Sequence, residues 1–124
     1  MNSTSGEDSL LRKILLVEDE TDGAELAATL LSANGLEVVQ AHSADAALRI
    51  LQEDKGIDAV FTDIMMPGMN GLELADTVSA LYPTVKIVRT SGYVLPDLLK
   101  YRARSYLFAA KPYRIDDILQ LLRS

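Results

Sequence analysis

Two hydrophobic periods alternate along this chain, and that alternation is what most restricts its fold. Short apolar runs recur at Lys13–Val17, Glu37–Ala41, Asp58–Thr62, Lys86–Arg89 and Tyr106–Ala110. Their length and composition predict buried strands. Segments of helical period lie between them. Asp22–Asn34 sets Leu26 with Leu30, and Ala27 with Leu31, at i,i+4 spacing, and Asn34-Gly35 stops it. Ser43 caps a second helix, with Ala47, Leu48 and Leu51 inward and Gly56 beyond its end. Gly71–Leu81 carries Leu74, Ala75, Val78 and Leu81 on one face, and Pro83 follows. Leu95–Arg102 is a shorter helix with Pro96 near its first turn. Arg114–Arg123 places Ile115, Ile118, Leu119 and Leu122 on the clearest stripe in the chain.

Five βα units predict a doubly wound α/β fold, (βα)5, with helices on both faces of a five-stranded parallel sheet. Right-handed crossovers and this size favour the flavodoxin-like strand order 2-1-3-4-5. A chain of 124 residues suits one core. Residues 1–9 are polar and aperiodic, predicting a disordered tail, and residues 10–124 form the domain. No apolar run approaches the roughly 18 residues of a membrane span. The N-terminus has no secretory pattern. Zero cysteines excludes disulfides and thiolate metal sites and fits a cytoplasmic protein. A net charge of −6 argues against direct nucleic-acid binding. Lys100, Arg102, Arg104, Lys111 and Arg114 gather in the last quarter, as a solvated face or a docking face for a partner.

In the expected order, strands 1 and 3 are neighbours at the topological switch point, where such sheets bind ligands. Glu18 and Asp19 follow strand 1, Asp63 follows strand 3, Thr90-Ser91 follows strand 4 and Lys111-Pro112 follows strand 5. Any one acid there could be an ordinary surface residue. Three together repel, by roughly 4 kcal/mol for a pair about 4 Å apart at an effective dielectric near 20. Such a cluster calls for a cation or a redistribution of protons. Oxygen ligands without His or Cys select a hard ion, and Mg²⁺ suits a site that serves phosphate. Carboxylate nucleophile, metal, lysine and hydroxyl together predict phosphoryl transfer, with Asp63 as the central nucleophile.

The chain resembles the receiver domain of two-component response regulators, the CheY-like superfamily, over about Leu11–Arg123. The resemblance rests on Leu16-Val17-Glu18-Asp19-Glu20, Asp63-Ile64-Met65-Met66-Pro67 with Gly71, Thr90-Ser91-Gly92-Tyr93, and Lys111-Pro112-Tyr113. It implies that Asp63 accepts phosphate from the phosphohistidine of a histidine kinase or phosphotransfer protein. It implies Mg²⁺ held by Glu18, Asp19, Asp63 and the backbone carbonyl of Met65. Lys111 would pair with the phosphoryl group, and Thr90 would bond it after moving inward. Phe108, three before the lysine, stands at the family's aromatic switch position. The surface of the helix at 95–102, the last strand and the last helix would then read out the state to a downstream protein. Such a domain is a signalling receiver rather than an independent enzyme.

Some positions depart from the family. Phe108 replaces a common tyrosine, Arg89 is charged where many members are apolar, and Arg104-Ser105 replaces a Gly-Ala pair, predicting a short or irregular preceding helix. Met65, Met66 and Met69 read as a flexible apolar loop. His42, the only histidine, reads as a loop residue away from the acids, so the phosphate donor must be another molecule. Ser124 closely follows the last helix, giving either a single-domain regulator or a receiver from a larger protein, including a hybrid kinase. A pseudo-receiver is disfavoured because Glu18, Asp19, Asp63, Thr90 and Lys111 are all present. A flavin protein would want a neutral loop after strand 1, and a phosphatase a separate acid near Asp63.

Overall fold

A computed structural model describes residues 11–91 and 107–124. In chain order it contains β1 (Lys13–Val17), α1 (Thr21–Ala33), β2 (Glu37–Ala41), α2 (Ala44–Glu53), β3 (Ala59–Asp63), α3 (Gly71–Leu81), β4 (Lys86–Ser91), β5 (Leu107–Ala110) and α4 (Ile115–Arg123). The five strands are parallel in the order β2-β1-β3-β4-β5. This is the flavodoxin-like arrangement expected. The predicted tail, the helix at 95–102, Gly92, Tyr93, Arg104-Ser105 and Tyr106 lie outside the described residues.

The central strands are buried almost throughout because they are covered twice. Alternation on β1 sends Ile14 and Leu16 into one layer with Ala24, Ala27 and Leu31 of α1 and Ile118, Leu119 and Leu122 of α4. Leu15 and Val17 enter the opposite layer with Ala47 and Leu51 of α2 and Leu74, Ala75 and Val78 of α3. Among the described residues, α1 and α4 thus cover one face of the sheet and α2 and α3 the other.

Three details differ from the sequence expectation. α1 buries Ala24, Ala27, Ala28 and Leu31, leaving Leu26 63% and Leu30 38% exposed. Two apolar stripes compete there, and the one rich in alanine lets the helix lie closer to the sheet. Leu81 is also exposed, since α3 ends at its far edge. β4 runs two residues further than expected and includes Thr90 and Ser91. Its ladder continues because the Ile64 N–H donates to the Thr90 carbonyl and the Lys111 N–H to the Ser91 carbonyl, both at 2.9 Å. Gly35, just past α1, has φ of +87°, a left-handed conformation that suits glycine. No helix among the described residues is long and apolar enough to cross a membrane.

Candidate functional site

The strand order brings the carboxyl ends of β1, β3, β4 and β5 to one edge. Asp63 is the last residue of β3 and is only 7% exposed. Its register partner on β4 is Thr90. Lys111 follows β5 directly and reaches inward, its Nζ 2.6 Å from Asp63 Oδ2 and 3.3 Å from Glu18 Oε1. Met65 N–H donates to Asp63 Oδ1 at 3.0 Å. Both carboxylate oxygens of Asp63 are therefore engaged, one by an ammonium and one by the loop that follows.

That loop is set by local chemistry. Asn70 Oδ1 accepts from the N–H groups of Leu72 and Glu73, and Glu73 Oε1 accepts from Asn70 N–H, a complete capping box for α3. The first helical residue, Gly71, lies against the end of β3. A Cβ added there would fall 2.1 Å from the Asp63 carbonyl oxygen and 2.7 Å from Ile64 Cα. Only glycine lets α3 start so close to the acid. Gly71 N–H also donates to the Ile64 carbonyl at 2.9 Å. Met66 is buried and Met69 packs on the same core layer, while Met65 is half exposed.

Glu18 sits beside Asp63, and both are buried. Desolvation pushes the Glu18 carboxyl above its ordinary range, and the nearby Asp63 adds to the rise. The Glu20 N–H at 3.2 Å and the Lys111 ammonium oppose it. Burial would lower Lys111, but its hydrogen bond to Asp63 and the two negative charges outweigh that and hold it above its ordinary value. Tyr113 is raised, mainly by burial, and its ring meets Phe61 of β3 edge-on at 5.4 Å. The Thr90 hydroxyl is buried with no hydrogen-bond partner among the described residues.

The structure departs from the expected three-acid cluster. Glu18 and Asp63 come together around Lys111, but Asp19 is exposed and no described hydrogen bond or ion pair joins it to them. Among the described residues, no three His, Cys, Asp or Glu side chains lie close enough to cage a metal ion. Glu18, just past β1, turns inward to Lys111, while Asp19 lies in the bend that follows and is exposed. Lys111, grouped in the sequence with a basic face, is committed to the acids instead. Phe108 is half buried and pairs in register with Arg89, which is fully buried within β4.

His42 corrects the sequence reading outright. It does not stand away from the acids: its Nδ1 lies 3.1 Å from the Glu18 carbonyl oxygen. The strand order itself carried that signal, because β2 flanks β1 and their carboxyl ends must adjoin. The steric role of Gly71 was likewise not read from sequence, since it depends on how closely α3 approaches β3.

A flavodoxin-like sheet with two buried acids and a lysine at its switch point places the chain among the doubly wound α/β domains, which bind ligands at that edge. Comparison with known proteins narrows this. Residues 14–123 match the family model "Response regulator receiver domain". The chain is 30% identical over 115 residues to the transcriptional regulatory protein CpxR of Escherichia coli (strain K12), covering 92% of this chain and 49% of CpxR. A response regulator receiver domain protein from Clostridium thermocellum superposes with a TM-score of 0.84 at 27% identity, over 90% and 91% of the two chains. The response regulator TrrA from Thermotoga maritima, solved in complex with Mg²⁺–BeF, gives a TM-score of 0.79 at 27% identity over 88% and 94%. The chain belongs to the response regulator receiver domain family of two-component systems. It spans about half the length of the CpxR relatives it matches.

Proposed function

We propose that this domain, residues 10–124, accepts a phosphoryl group on Asp63 from a histidine kinase or histidine phosphotransfer protein, with Mg²⁺ as cofactor. One observation carries the reading: the buried Asp63 carboxylate is held by Lys111 beside the Thr90 hydroxyl, which has no partner among the described residues. A carboxylate oxygen of Asp63 forms a bond to phosphorus as the phosphorus–nitrogen bond to the donor imidazole breaks. Lys111, already on this carboxylate, pairs with a phosphoryl oxygen as a point charge. The Thr90 hydroxyl, which has a proton to donate and no acceptor among the described residues, bonds another. Proteins of this kind catalyse only their own phosphorylation and its reversal.

The donor set suits a hard divalent ion. Two buried carboxylates share one ammonium, so negative charge remains, and every side-chain ligand offered is an oxygen. Glu18, Asp63, the Met65 carbonyl and Asp19 would hold it, Asp19 after its side chain turns inward. Bound there, Mg²⁺ supplies positive charge to the transferring phosphoryl oxygens. The complex named for TrrA favours the same cofactor here.

The response would pass from Thr90 through β4 to Phe108 and on to a protein target at the face of β5 and α4, together with the segment at 95–102. We read no direct role for nucleic acid or membrane. Phosphate drawn from ATP-fed kinases puts the domain in the cytoplasm. It acts as a single-domain regulator or as the receiver of a larger protein, including a hybrid kinase.

Incubation with Mg²⁺ and a small phosphodonor, followed by intact mass, tests this. The native chain should gain one phosphoryl group and Asp63→Asn none. An unmodified native chain, even with a cognate kinase, would point to an interaction module that never takes phosphate.

A further inference from the structure

We propose that His42 is a positioning residue for the acidic loop, holding Glu18 and Asp19 ready for a divalent cation. This inference rests on the metal-dependent reading of the site above. His42 Nδ1 lies 3.1 Å from the backbone carbonyl oxygen of Glu18. A carbonyl oxygen can only accept, so Nδ1 carries the hydrogen and the ring donates. The Glu18 N–H in turn donates to the Ala41 carbonyl at 3.0 Å. Both backbone polar groups of Glu18 are thus held by two consecutive residues at the end of β2.

The placement matters because of where the ladder stops. Val17 and Ala41 are the last registered pair of β1 and β2. Glu18 is the first residue beyond it, and the carbonyl held by His42 belongs to the peptide that joins Glu18 to Asp19. Fixing that plane fixes the backbone from which both acids project. The other described hydrogen bonds of Glu18 act on its side chain, which accepts from Glu20 N–H and Lys111, and not on this peptide. α2 is capped by Ser43, whose Oγ accepts from Ala46 N–H at 3.1 Å, and α3 has its capping box. α1 begins after Glu20, which makes no side-chain cap. The anchor that α2 and α3 obtain from their own caps is supplied here from across the sheet.

A partner that orients a ligand from outside the metal shell commonly changes affinity by roughly 10–100-fold when removed. The test uses the whole 124-residue chain and Mg²⁺ titration by calorimetry. His42→Leu keeps bulk without a donor, His42→Asn puts an amide N–H where Nδ1 stands, and His42→Gln puts one where Nε2 stands. Expected are Mg²⁺ affinities about tenfold or more weaker in His42→Leu and His42→Gln, near native in His42→Asn. The metal-free thermal midpoints of Leu and Asn variants should agree. Native-like affinity in His42→Leu overturns the inference while leaving the site intact, and so does failure of His42→Asn to restore it. A native chain that binds no Mg²⁺ sinks the reading of the site and this inference with it.

Discussion

Replacing Gly71 with alanine should lower the thermal midpoint of the metal-free domain by about 10 °C. The new Cβ would lie 2.1 Å from the Asp63 carbonyl oxygen, where ordinary contact starts at 3.4 Å. The obstacle is backbone on both sides: the strand that ends in Asp63, and the first turn of a helix held by its capping box. No side chain can rotate away, so α3 must retreat by about 1 Å. Overpacking of this kind costs about 1–3 kcal/mol, and the rigidity of both elements puts Gly71→Ala at the upper end. For a domain of this size each kcal/mol moves the midpoint by about 4 °C. Circular dichroism melts give the answer, and Gly23→Ala is the internal control. At Gly23, inside α1, a Cβ would meet only Glu20 Oε1 at 3.6 Å and Glu18 Oε1 at 4.0 Å. There alanine should raise the midpoint, since glycine costs up to about 1 kcal/mol within a helix. The same shift of α3 would drag Asp63, so Gly71→Ala should also slow phosphoryl uptake. A Gly71→Ala midpoint within about 2 °C of native would refute the packing argument.

Glu18→Gln should stabilise the metal-free domain by a few degrees and abolish its stabilisation by Mg²⁺. Because the folded-state pKa of Glu18 lies above its ordinary 4.5, the protonated form favours the fold. That contribution is full below pH 4.5 and is lost as pH rises through the raised value. The native-minus-variant difference in midpoint should therefore shrink on acidification, and a pH-independent difference counts against the assignment. Thr90→Val should leave resting stability unchanged or improve it by about 1 kcal/mol, because it removes a buried hydroxyl with no partner. It should also shorten the lifetime of the phosphorylated form in a mass time course. Clear destabilisation in urea would show that the hydroxyl is already satisfied at rest.

Fold and site were legible to different depths, for physical reasons. Strand order followed from periodicity because buried parallel strands must be apolar on both faces, and few topologies close such a sheet. Asp63, Thr90 and Lys111 were legible because strand ends map directly onto the switch point, and the structure brings these three together. Asp19 was expected inside the cluster, but it lies in the bend beyond β1, where strand periodicity no longer sets a side chain's direction, and it is exposed. Leu26 and Leu30 looked like a core stripe, but periodicity cannot choose between two apolar stripes. Only the distance from helix to sheet does, and alanine permits the shorter one. His42 escaped because its contact is with backbone, and a sequence pattern carries no record of which carbonyl a ring meets. Gly71 escaped for the same reason.

The resting site combines features that are each unfavourable alone. Two buried carboxylates lie together with one ammonium between them, and a neighbouring hydroxyl is buried without an acceptor among the described residues. A fold selected for stability alone would place apolar side chains there, since uncompensated buried polar groups cost more than they return. The groups are tolerated because the elements around them are over-determined, with β1 and β3 buried on both faces and α3 fixed by its cap and Gly71. Each deficit is of a kind that one event relieves. A cation would neutralise the carboxylates, and a phosphoryl group would give Lys111 and Thr90 the oxygens they can bind. On the proposed function, the free energy that drives the switch comes from this mismatch at rest. The site would therefore respond to phosphate in proportion to how poorly its own residues satisfy one another without it.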